Sequence, residues 1–292
     1  MVSPVPLTEN APAKVNLTLR VVGRRADGYH DIESLVAFAD LGDRLALAPG
    51  GALSLTVRGP RAAQAGEGAD NLVLKGSRAL AALIPGLVLG AFDLDKNLPV
   101  AAGLGGGSAD AAAALRLIAR ANDLPTDDAR LYQAARATGA DVPVCLDPRP
   151  RLMQGIGEVL SAPLRLPALH AVLVNPAVVL STRDVFAAWT AGAKAPPFDL
   201  VALRQASYSD ALQLLTAQPN DLEAAAIGLA PAVAEVLAAL RALPDCGLAR
   251  MSGSGATCFG LFTSAAGANA AANILTGKHP HWWVRACALG SG

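Results

Sequence analysis

Four glycines within five positions mark the part of the sequence best suited to chemistry. Gly103, Gly105, Gly106 and Gly107 follow a strand-like segment and precede an alanine-rich segment. Because glycine has no Cβ, it can adopt a positive φ and let several backbone N–H groups converge on one anion. The N-terminus of a following helix adds a partial positive charge. This pattern predicts a phosphate-binding loop; the alternative is a glycine-rich turn without a ligand.

Two common phosphate-binding motifs do not fit this loop. A P-loop requires G-x-x-x-x-G-K-[ST], and no lysine follows the glycines. The dinucleotide fingerprint G-x-G-x-x-G would place its third glycine at position 108, which is serine. The sequence therefore disfavours a P-loop NTPase and a dinucleotide-dependent enzyme.

Asp141 and Lys14 are the candidates for proton and charge chemistry. Asp141 lies at the edge of an apolar segment. Partial desolvation there would raise its proton affinity into a range that is useful for a general base. The alternative is an aspartate that caps a turn after Gly139. Strand alternation places Lys14, Asn16 and Thr18 on one face, which a solvated strand face would explain equally well.

Composition limits the partners of these groups. The chain has 292 residues, room for one large or two ordinary domains, and its 24 Lys+Arg offset 24 Asp+Glu. Without net charge, binding of nucleic acid or an anionic membrane is not favoured, so an anion must be bound locally. The start of the chain lacks the features of a signal peptide, which predicts a cytoplasmic protein. The cysteines lack zinc-site spacing and are predicted to be reduced and mostly buried: Cys145, Cys246, Cys258 and Cys287.

Strands and helices must position the candidate residues. Hydrophobic periodicity predicts strands at 13–22, 29–39, 44–47, 53–57, 91–94, 168–174, 257–262 and 282–288, with one more before the turn at 252–255. It predicts helices at 71–83, 109–122, 126–139, 182–190, 200–215, 220–229, 231–243 and 265–275. This order predicts an α+β sandwich of helices on a mainly antiparallel sheet, with a boundary near 147–150.

Three segments together resemble the motifs of the GHMP kinases, a superfamily of small-molecule kinases. The glycine segment 99–111 resembles the second motif, which wraps the triphosphate of ATP in that family. Segments 11–19 and 251–257 resemble the first and third motifs. Within the superfamily, segments 24–30 and 139–144 resemble the subgroup whose substrate is a cytidine-diphosphate-linked methylerythritol.

The resemblance implies a fold and a reaction. It implies a two-domain α+β GHMP kinase fold, with a ribosomal-protein-S5-domain-2-like domain at 1–150, a ferredoxin-like domain at 151–292 and an active site in the cleft between them. It implies a kinase that uses ATP and Mg²⁺ to phosphorylate the 2-hydroxyl of 4-diphosphocytidyl-2-C-methyl-D-erythritol, in the non-mevalonate isoprenoid pathway. The implied partner is this small molecule, with no nucleic acid or membrane, and the implied assembly is a monomer or homodimer. The alternatives are a kinase for homoserine or mevalonate, or a non-catalytic nucleotide-binding protein.

The resemblance also carries roles onto individual residues, with the metal ligands left unassigned. It implies that Asp141 is the catalytic aspartate and that Lys14 pairs with it. It implies a substrate site of Asn16, Tyr29, His30 and Phe186, in which flat rings stack on cytosine and the imidazole bonds its polar edge. It implies an ATP site of Lys96, Pro99, Gly103, Leu104, Gly105, Gly106, Gly107, Ser108, Ala109, Gly253 and Gly255. The Lys96-Asn97 pair and Asn71 are expected to border its adenine pocket.

Two further points concern single residues of these sites. Ser108 could reach a phosphate oxygen or magnesium, and it could at the same time cap a helix that starts at Ala109. Arg183 stands where members of the superfamily often carry proline, a departure close to Phe186.

Overall fold

The structure is a computed structural model that describes residues 6–192 and 195–290. Residues 1–5, part of the segment considered for a signal peptide, lie outside these ranges. Among the described residues, no helix has the length and apolar character needed to span a bilayer.

Within the described ranges, the strands are β1 (Leu7–Asn16), β2 (Arg20–Arg24), β3 (His30–Pro49), β4 (Ser54–Arg58), β5 (Gly90–Asp95), β6 (Arg151–Gly155), β7 (Val159–Leu160), β8 (Leu169–Asn175), β9 (Cys246–Met251), β10 (Cys258–Phe262) and β11 (Trp283–Leu289). The helices are α1 (Ala62–Ala65), α2 (Leu72–Leu83), α3 (Gly106–Ala121), α4 (Ala129–Thr138), α5 (Val142–Leu146), α6 (Thr182–Ala188), α7 (Leu200–Arg204), α8 (Tyr208–Thr216), α9 (Glu223–Leu229), α10 (Ala232–Arg241) and α11 (Ala265–Lys278).

The chain divides into two compact units that alternate along the sequence. The first takes the residues up to Ala13, Leu41–Val100 and Gly105–Pro148. The second takes Lys14–Asp40, Ala101–Leu104 and the residues from Arg149 onward. The simpler division at residue 150 stays a prediction.

The first unit combines a small sheet with a cluster of helices. β4 runs parallel to β5, and β5 runs antiparallel to residues 44–49 of β3. Helix α3 contacts α2, α4 and α5 and is buried along most of its length. Small side chains allow this close packing, since a Cβ on Gly76 of α2 would lie only 3.8 Å from Cβ of Ala111.

The second unit is built on an antiparallel sheet with the strand order β11-β8-β10-β9. The first part of β3 pairs with β2 and β6, and Ala39 pairs with Leu289 of β11. Helix α10 contacts β9 and β10, and α11 contacts β8 and β11. Their apolar residues share one buried core, which includes Val172, Val236 and Phe262. The predicted α+β class is confirmed.

Two strand predictions are wrong. Residues 44–47 do not form a separate strand, because β3 continues without a break to Pro49. The predicted strand at 13–22 is divided into β1 and β2, because the backbone bends between them. Both Leu17 N and Thr18 N donate to the Leu35 carbonyl, while Leu19 N donates to the Pro219 carbonyl. Strands β6 and β7 were not predicted.

Two helix predictions also need correction. The helix predicted at 126–139 begins later, at Ala129, because Asp128 caps it and its carboxylate accepts from Arg130 N. The predicted helix at 200–215 is two helices, because Ser207 and Asp210 form a capping box that starts α8. Other ends differ from the predictions by a few residues.

Candidate active site

The glycine loop owes two of its glycines to backbone geometry. Gly105 caps α3 with a φ of 61°, and Gly103 has a φ of 76°, values that favour glycine. A Cβ on Gly103 would lie 2.4 Å from the Ser252 carbonyl oxygen and 2.8 Å from that of Gly255. Gly103 is therefore a glycine because the turn at 252–255 lies against it.

The first turn of α3 presents backbone donors without a side-chain cap. The helix begins at Gly106, three residues earlier than predicted, because Gly105 in the left-handed conformation starts it. Ser108 therefore lies inside the first turn, and the prediction that it caps a helix starting at Ala109 is wrong. No side chain caps α3. Its first N–H groups, together with the partial positive charge of a 16-residue helix, suit a phosphate group.

Gly106 and Gly107 differ in what surrounds them. A Cβ on Gly106 would lie 3.2 Å from Nζ of Lys96, so this glycine makes room for the ammonium group. A Cβ on Gly107 would meet only Cδ1 of Leu72, at an ordinary contact distance of 3.5 Å. The protein packing alone therefore does not require glycine at position 107, whereas a closely approaching phosphate would.

A buried ion cluster lies next to this turn. Lys96 Nζ donates to Asp43 Oδ2 at 2.6 Å and to Asp110 Oδ2 at 2.5 Å. The exposed fractions of the three side chains are 2% for Lys96, 0% for Asp43 and 4% for Asp110. Lys96 therefore has its ammonium group engaged inside the first unit, and its contact with ATP stays a prediction.

The charge of this cluster is not balanced. Burial, assisted by the charge of Asp43 and opposed by Lys96, raises the pKa of Asp110 to about 7. Asp110 Oδ1 has no hydrogen-bond partner among the described residues. Burial lowers the pKa of Lys96, but the two carboxylates outweigh it, and the net shift is upward.

Lys14 and Asn16 lie in a buried polar chain of the second unit. Lys14 Nζ donates to Asn16 Oδ1 at 2.9 Å, and Asn16 Nδ2 donates to Ser34 Oγ at 2.7 Å. Ser34 Oγ in turn donates to the Thr18 carbonyl. Lys14 is only 3% exposed, so the alternative of a solvated strand face is wrong.

The turn at 252–255 connects these hydrogen-bonded side chains to the glycine loop within the second unit. Asn16 N donates to Ser252 Oγ, and Ser252 Oγ donates to the Gly103 carbonyl. A Cβ on Gly253 would lie 3.1 Å from Asn16 Oδ1. Gly253 is therefore held against a predicted substrate residue, and its contact with ATP, like that of Gly255, stays a prediction.

Asn220 is a residue that sequence reasoning missed. Its side-chain nitrogen donates to the carbonyl oxygens of Met251 and Gly253, both at 2.8 Å. These two bonds hold the turn at 252–255 in place. The only signal in the sequence was an asparagine at the predicted start of a helix, where Asn is a common cap.

Asp141 lies at the N-cap position of α5, before five buried residues. Its side chain makes no capping hydrogen bond to α5, and the alternative of an aspartate that caps a turn after Gly139 stays a prediction. The apolar residues after it are buried, as the desolvation argument requires. The pairing of Asp141 with Lys14 stays a prediction.

The predicted cytidine residues are partly brought together. The rings of His30 and Phe186 stack, with 5.1 Å between centroids and 25° between planes. Tyr29 is 62% exposed. Arg183 is exposed on α6, and Phe186 still contacts His30.

Trp189 completes this aromatic cluster and was not predicted. Its ring meets His30 edge-on, with 5.6 Å between centroids. Its position three residues after Phe186 was the signal available, since such spacing places two side chains on one side of a helix end. Burial, followed by the charge of Arg24, lowers the pKa of His30, which favours a neutral imidazole that can both donate and accept.

Comparison with known proteins gives both halves of the chain a match. Residues 71–147 match the family model of the GHMP kinases N terminal domain, and residues 199–281 match that of the GHMP kinases C terminal domain.

The chain is similar over almost its full length to several named enzymes. It is 56% identical over 291 residues to 4-diphosphocytidyl-2-C-methyl-D-erythritol kinase of Rhodopseudomonas palustris, covering 97% of this chain and 98% of that protein. It is 54% identical over 301 residues to the enzyme of that name from Bradyrhizobium diazoefficiens, covering 98% and 99% of the two chains.

Solved structures give the same match. A crystal structure of 4-(cytidine 5'-diphospho)-2C-methyl-D-erythritol kinase is 35% identical, with a TM-score of 0.78 and coverage of 98% of this chain and 100% of that one. Homoserine kinase of Cytophaga hutchinsonii, at 20% identity, a TM-score of 0.72 and coverage of 97% and 94%, shares the fold.

Proposed function

The chain belongs to the 4-diphosphocytidyl-2-C-methyl-D-erythritol kinase family of the GHMP kinases, and from this premise we propose how its residues perform the reaction. The enzyme transfers the γ-phosphate of ATP to the 2-hydroxyl of 4-diphosphocytidyl-2-C-methyl-D-erythritol. The products are the 2-phosphate and ADP, in the non-mevalonate route to isoprenoids. The observation that carries the substrate assignment is the stacked pair of His30 and Phe186.

The start of α3 is proposed to bind the triphosphate. Its uncapped N–H groups and the left-handed Gly105 form a cradle without an acidic side chain in the first turn. Gly107 leaves its side of the helix open, which permits phosphate oxygens to approach the backbone. Backbone amides thus supply what a lysine supplies in a P-loop.

Asp141 and Lys14 are proposed to act on the transferred group. The substrate hydroxyl oxygen attacks the γ-phosphorus while the bond from that phosphorus to the ADP oxygen breaks. Asp141 accepts the proton of the hydroxyl, and the Lys14 ammonium offsets the charge of the reacting oxygens. Asn16, bonded to Lys14 Nζ, holds the ammonium in one direction.

Magnesium is proposed to be bound through the nucleotide. The described residues include no group of three or more His, Cys, Asp or Glu side chains that could hold a metal. Mg²⁺ suits a site at which the nucleotide supplies the main ligands, because it keeps several waters and commonly binds through substrate phosphates. When bound, it offsets the charge of the phosphate oxygens.

Cytosine is proposed to bind at the ring cluster of the second unit. Phe186 offers a flat face, Trp189 packs perpendicular to His30, and the neutral imidazole bonds the polar edge of the base. Tyr29, which is exposed beside His30, is available as a second stacking surface.

The enzyme is proposed to act in the cytoplasm as a monomer or homodimer.

An assay of ADP release tests the function directly. The purified enzyme is supplied with ATP, Mg²⁺ and one alcohol at a time: the cytidyl substrate, homoserine or mevalonate. We expect turnover with the cytidyl substrate alone. Turnover with only homoserine or mevalonate would contradict the substrate, and ATP binding without turnover of any of them would indicate a nucleotide-binding protein.

A further inference from the structure

The buried cluster of Lys96, Asp43 and Asp110 has no part in the proposed reaction. It connects three segments of the first unit: Asp43 lies in β3, Lys96 directly follows β5, and Asp110 lies in α3. Asp43 Oδ1 also accepts from the backbone N–H groups of Asn97 and Leu98, at 2.6 and 2.8 Å. The cluster therefore holds the segment that leads into the glycine loop as well as the helix that follows it.

The cluster also touches the first turn of α3. Lys96 Nζ lies 3.2 Å from the place that a Cβ on Gly106 would occupy. Asp110 stands one turn further along the helix, and helical side chains point back towards the N-terminus. Two of the three charged groups thus fix the turn whose N–H groups form the phosphate cradle.

Lys96 is poorly suited to bind phosphate directly. Its side chain is 2% exposed, and two carboxylates already accept from its ammonium group. Above the pKa of Asp110, where both carboxylates are ionised, the cluster carries one net negative charge, which repels a phosphate. Buried pairs of this kind are strongly affected by the loss of one partner, because the other charge is then left without compensation.

We propose that Lys96, Asp43 and Asp110 are positioning residues for nucleotide binding, which hold the first turn of α3 in the orientation that receives the triphosphate. This inference rests on the proposed function. It assigns Lys96 a role through the backbone of Gly106, in place of the direct ATP contact that the family resemblance implies.

Removal of a carboxylate distinguishes direct phosphate binding by Lys96 from positioning of α3, because the two roles change the affinity for ATP in opposite directions. If Lys96 contacts phosphate directly, Asp110→Ala releases its ammonium and removes a repelling charge, so ATP binds more tightly. If the cluster positions α3, Asp110→Ala loosens the first turn, so ATP binds more weakly. The cytidyl substrate should bind unchanged in the second case, because His30 and Phe186 lie in the other unit.

The experiment is calorimetric titration of each folded variant at about pH 8, where Asp110 is ionised, with a non-hydrolysable ATP analogue and, separately, with the cytidyl substrate. For Asp110→Ala we expect the Kd of the analogue to rise about tenfold, the scale of one lost charged hydrogen bond, with the substrate Kd unchanged. Arg120→Ala is the matched control, because it removes an exposed ion pair with Glu9 from the same helix. Both of its Kd values should equal those of the wild type.

Several results would overturn the inference. These are a lower or unchanged analogue Kd in Asp110→Ala, or an equal loss of affinity for both ligands. If Asp110→Ala does not fold, Asp43→Asn is used, since its amide cannot accept from all three donors that Asp43 now serves. It should also raise the analogue Kd, whereas direct contact predicts a decrease. Failure of the wild type to bind the analogue would contradict the proposed function itself.

Discussion

His30 stacks face to face on Phe186, although the two residues come from distant parts of the sequence. β3 supplies the imidazole and α6 supplies the phenyl ring. The ring of Trp189 lies nearly perpendicular to the same imidazole, so His30 contacts two aromatic rings. A ring fixed in this way can present its polar nitrogens in a constant direction, which suits recognition of one base.

Replacement of Phe186 tests this cluster. Phe186→Ala removes the stacking face, and we expect the cytidyl substrate to bind more weakly by about 1–3 kcal/mol, the scale of one base–aromatic stack. Trp189→Ala should have a smaller effect in the same direction, because it removes one contact of His30 and leaves the stacking face of Phe186 in place. The measurement is the KM of the cytidyl substrate at saturating ATP, with the KM of ATP as the internal control. A change confined to the KM of ATP would contradict the placement of cytosine at these rings.

The glycines of the loop provide a second prediction. Gly107→Ala fits the surrounding protein, and alanine favours a helix over glycine by roughly 1 kcal/mol, so the variant should be as stable as the wild type or more stable. If phosphate approaches the backbone there, the same variant should lose ATP affinity. Gly106→Ala should instead lower the Tm, because its Cβ meets the ammonium of Lys96, which two carboxylates hold in place.

Thermal unfolding and ATP titration of both variants separate these effects. Gly107→Ala with normal ATP binding would exclude that side of the helix as the phosphate site. Gly106→Ala with a Tm equal to that of the wild type would show that Lys96 can move aside.

The sequence predicted the glycine loop and the helix after it, because glycine and alanine report directly on backbone conformation. It did not predict the start of α3, since this depends on the left-handed conformation of Gly105. The sequence also could not predict which side chains pair with Lys96. Asp43 and Asp110 are far from it in sequence, and no local pattern connects a lysine to two distant carboxylates.

The burial of Lys14 and Asn16, at the proposed substrate site, could not be predicted from the sequence either. Alternation correctly placed Lys14 and Asn16 on one face of the strand, but it could not tell a buried polar face from a solvated one. The difference is made by Ser34 and Ser252, which accept from Asn16 and come from other parts of the chain. Buried polar residues can be recognised only when their hydrogen-bond partners are known.

Asp110 gives a prediction about stability and pH. Its pKa is raised to about 7 in the folded protein, while an unfolded aspartate titrates near its ordinary value of about 3.9. The folded state therefore holds the proton more tightly. The stability that this proton contributes is full below the unfolded pKa and is lost as the pH rises through the folded pKa.

Asp110→Asn removes this titration and leaves the other groups in place. The Tm of the variant relative to the wild type should therefore increase between about pH 5 and about pH 8. Unfolding is followed by circular dichroism at both pH values, with Asp70→Asn as the control for loss of a fully exposed aspartate. A Tm difference that does not change with pH would mean that Asp110 is ionised throughout this range.

Asp141→Asn tests the proposed transfer step. The substitution keeps the size and shape of the side chain but removes its ability to accept the hydroxyl proton. We expect kcat to fall by about 10²-fold or more, the usual scale for a positioned base, with the Kd of ATP unchanged. The Tm of the variant is measured as well, so that a loss of folding is distinguished from a loss of the base.

The variant is compared with Asp147→Asn, which changes the aspartate that follows the last residue of α5. This control should retain most of the activity, because its carboxylate is separated from the proposed base by the whole helix. Asp141→Asn with near-wild-type kcat would remove Asp141 from the mechanism. The hydroxyl proton would then have to leave without a protein base, which a loose transition state permits, since little proton transfer is needed until the bond to phosphorus has formed.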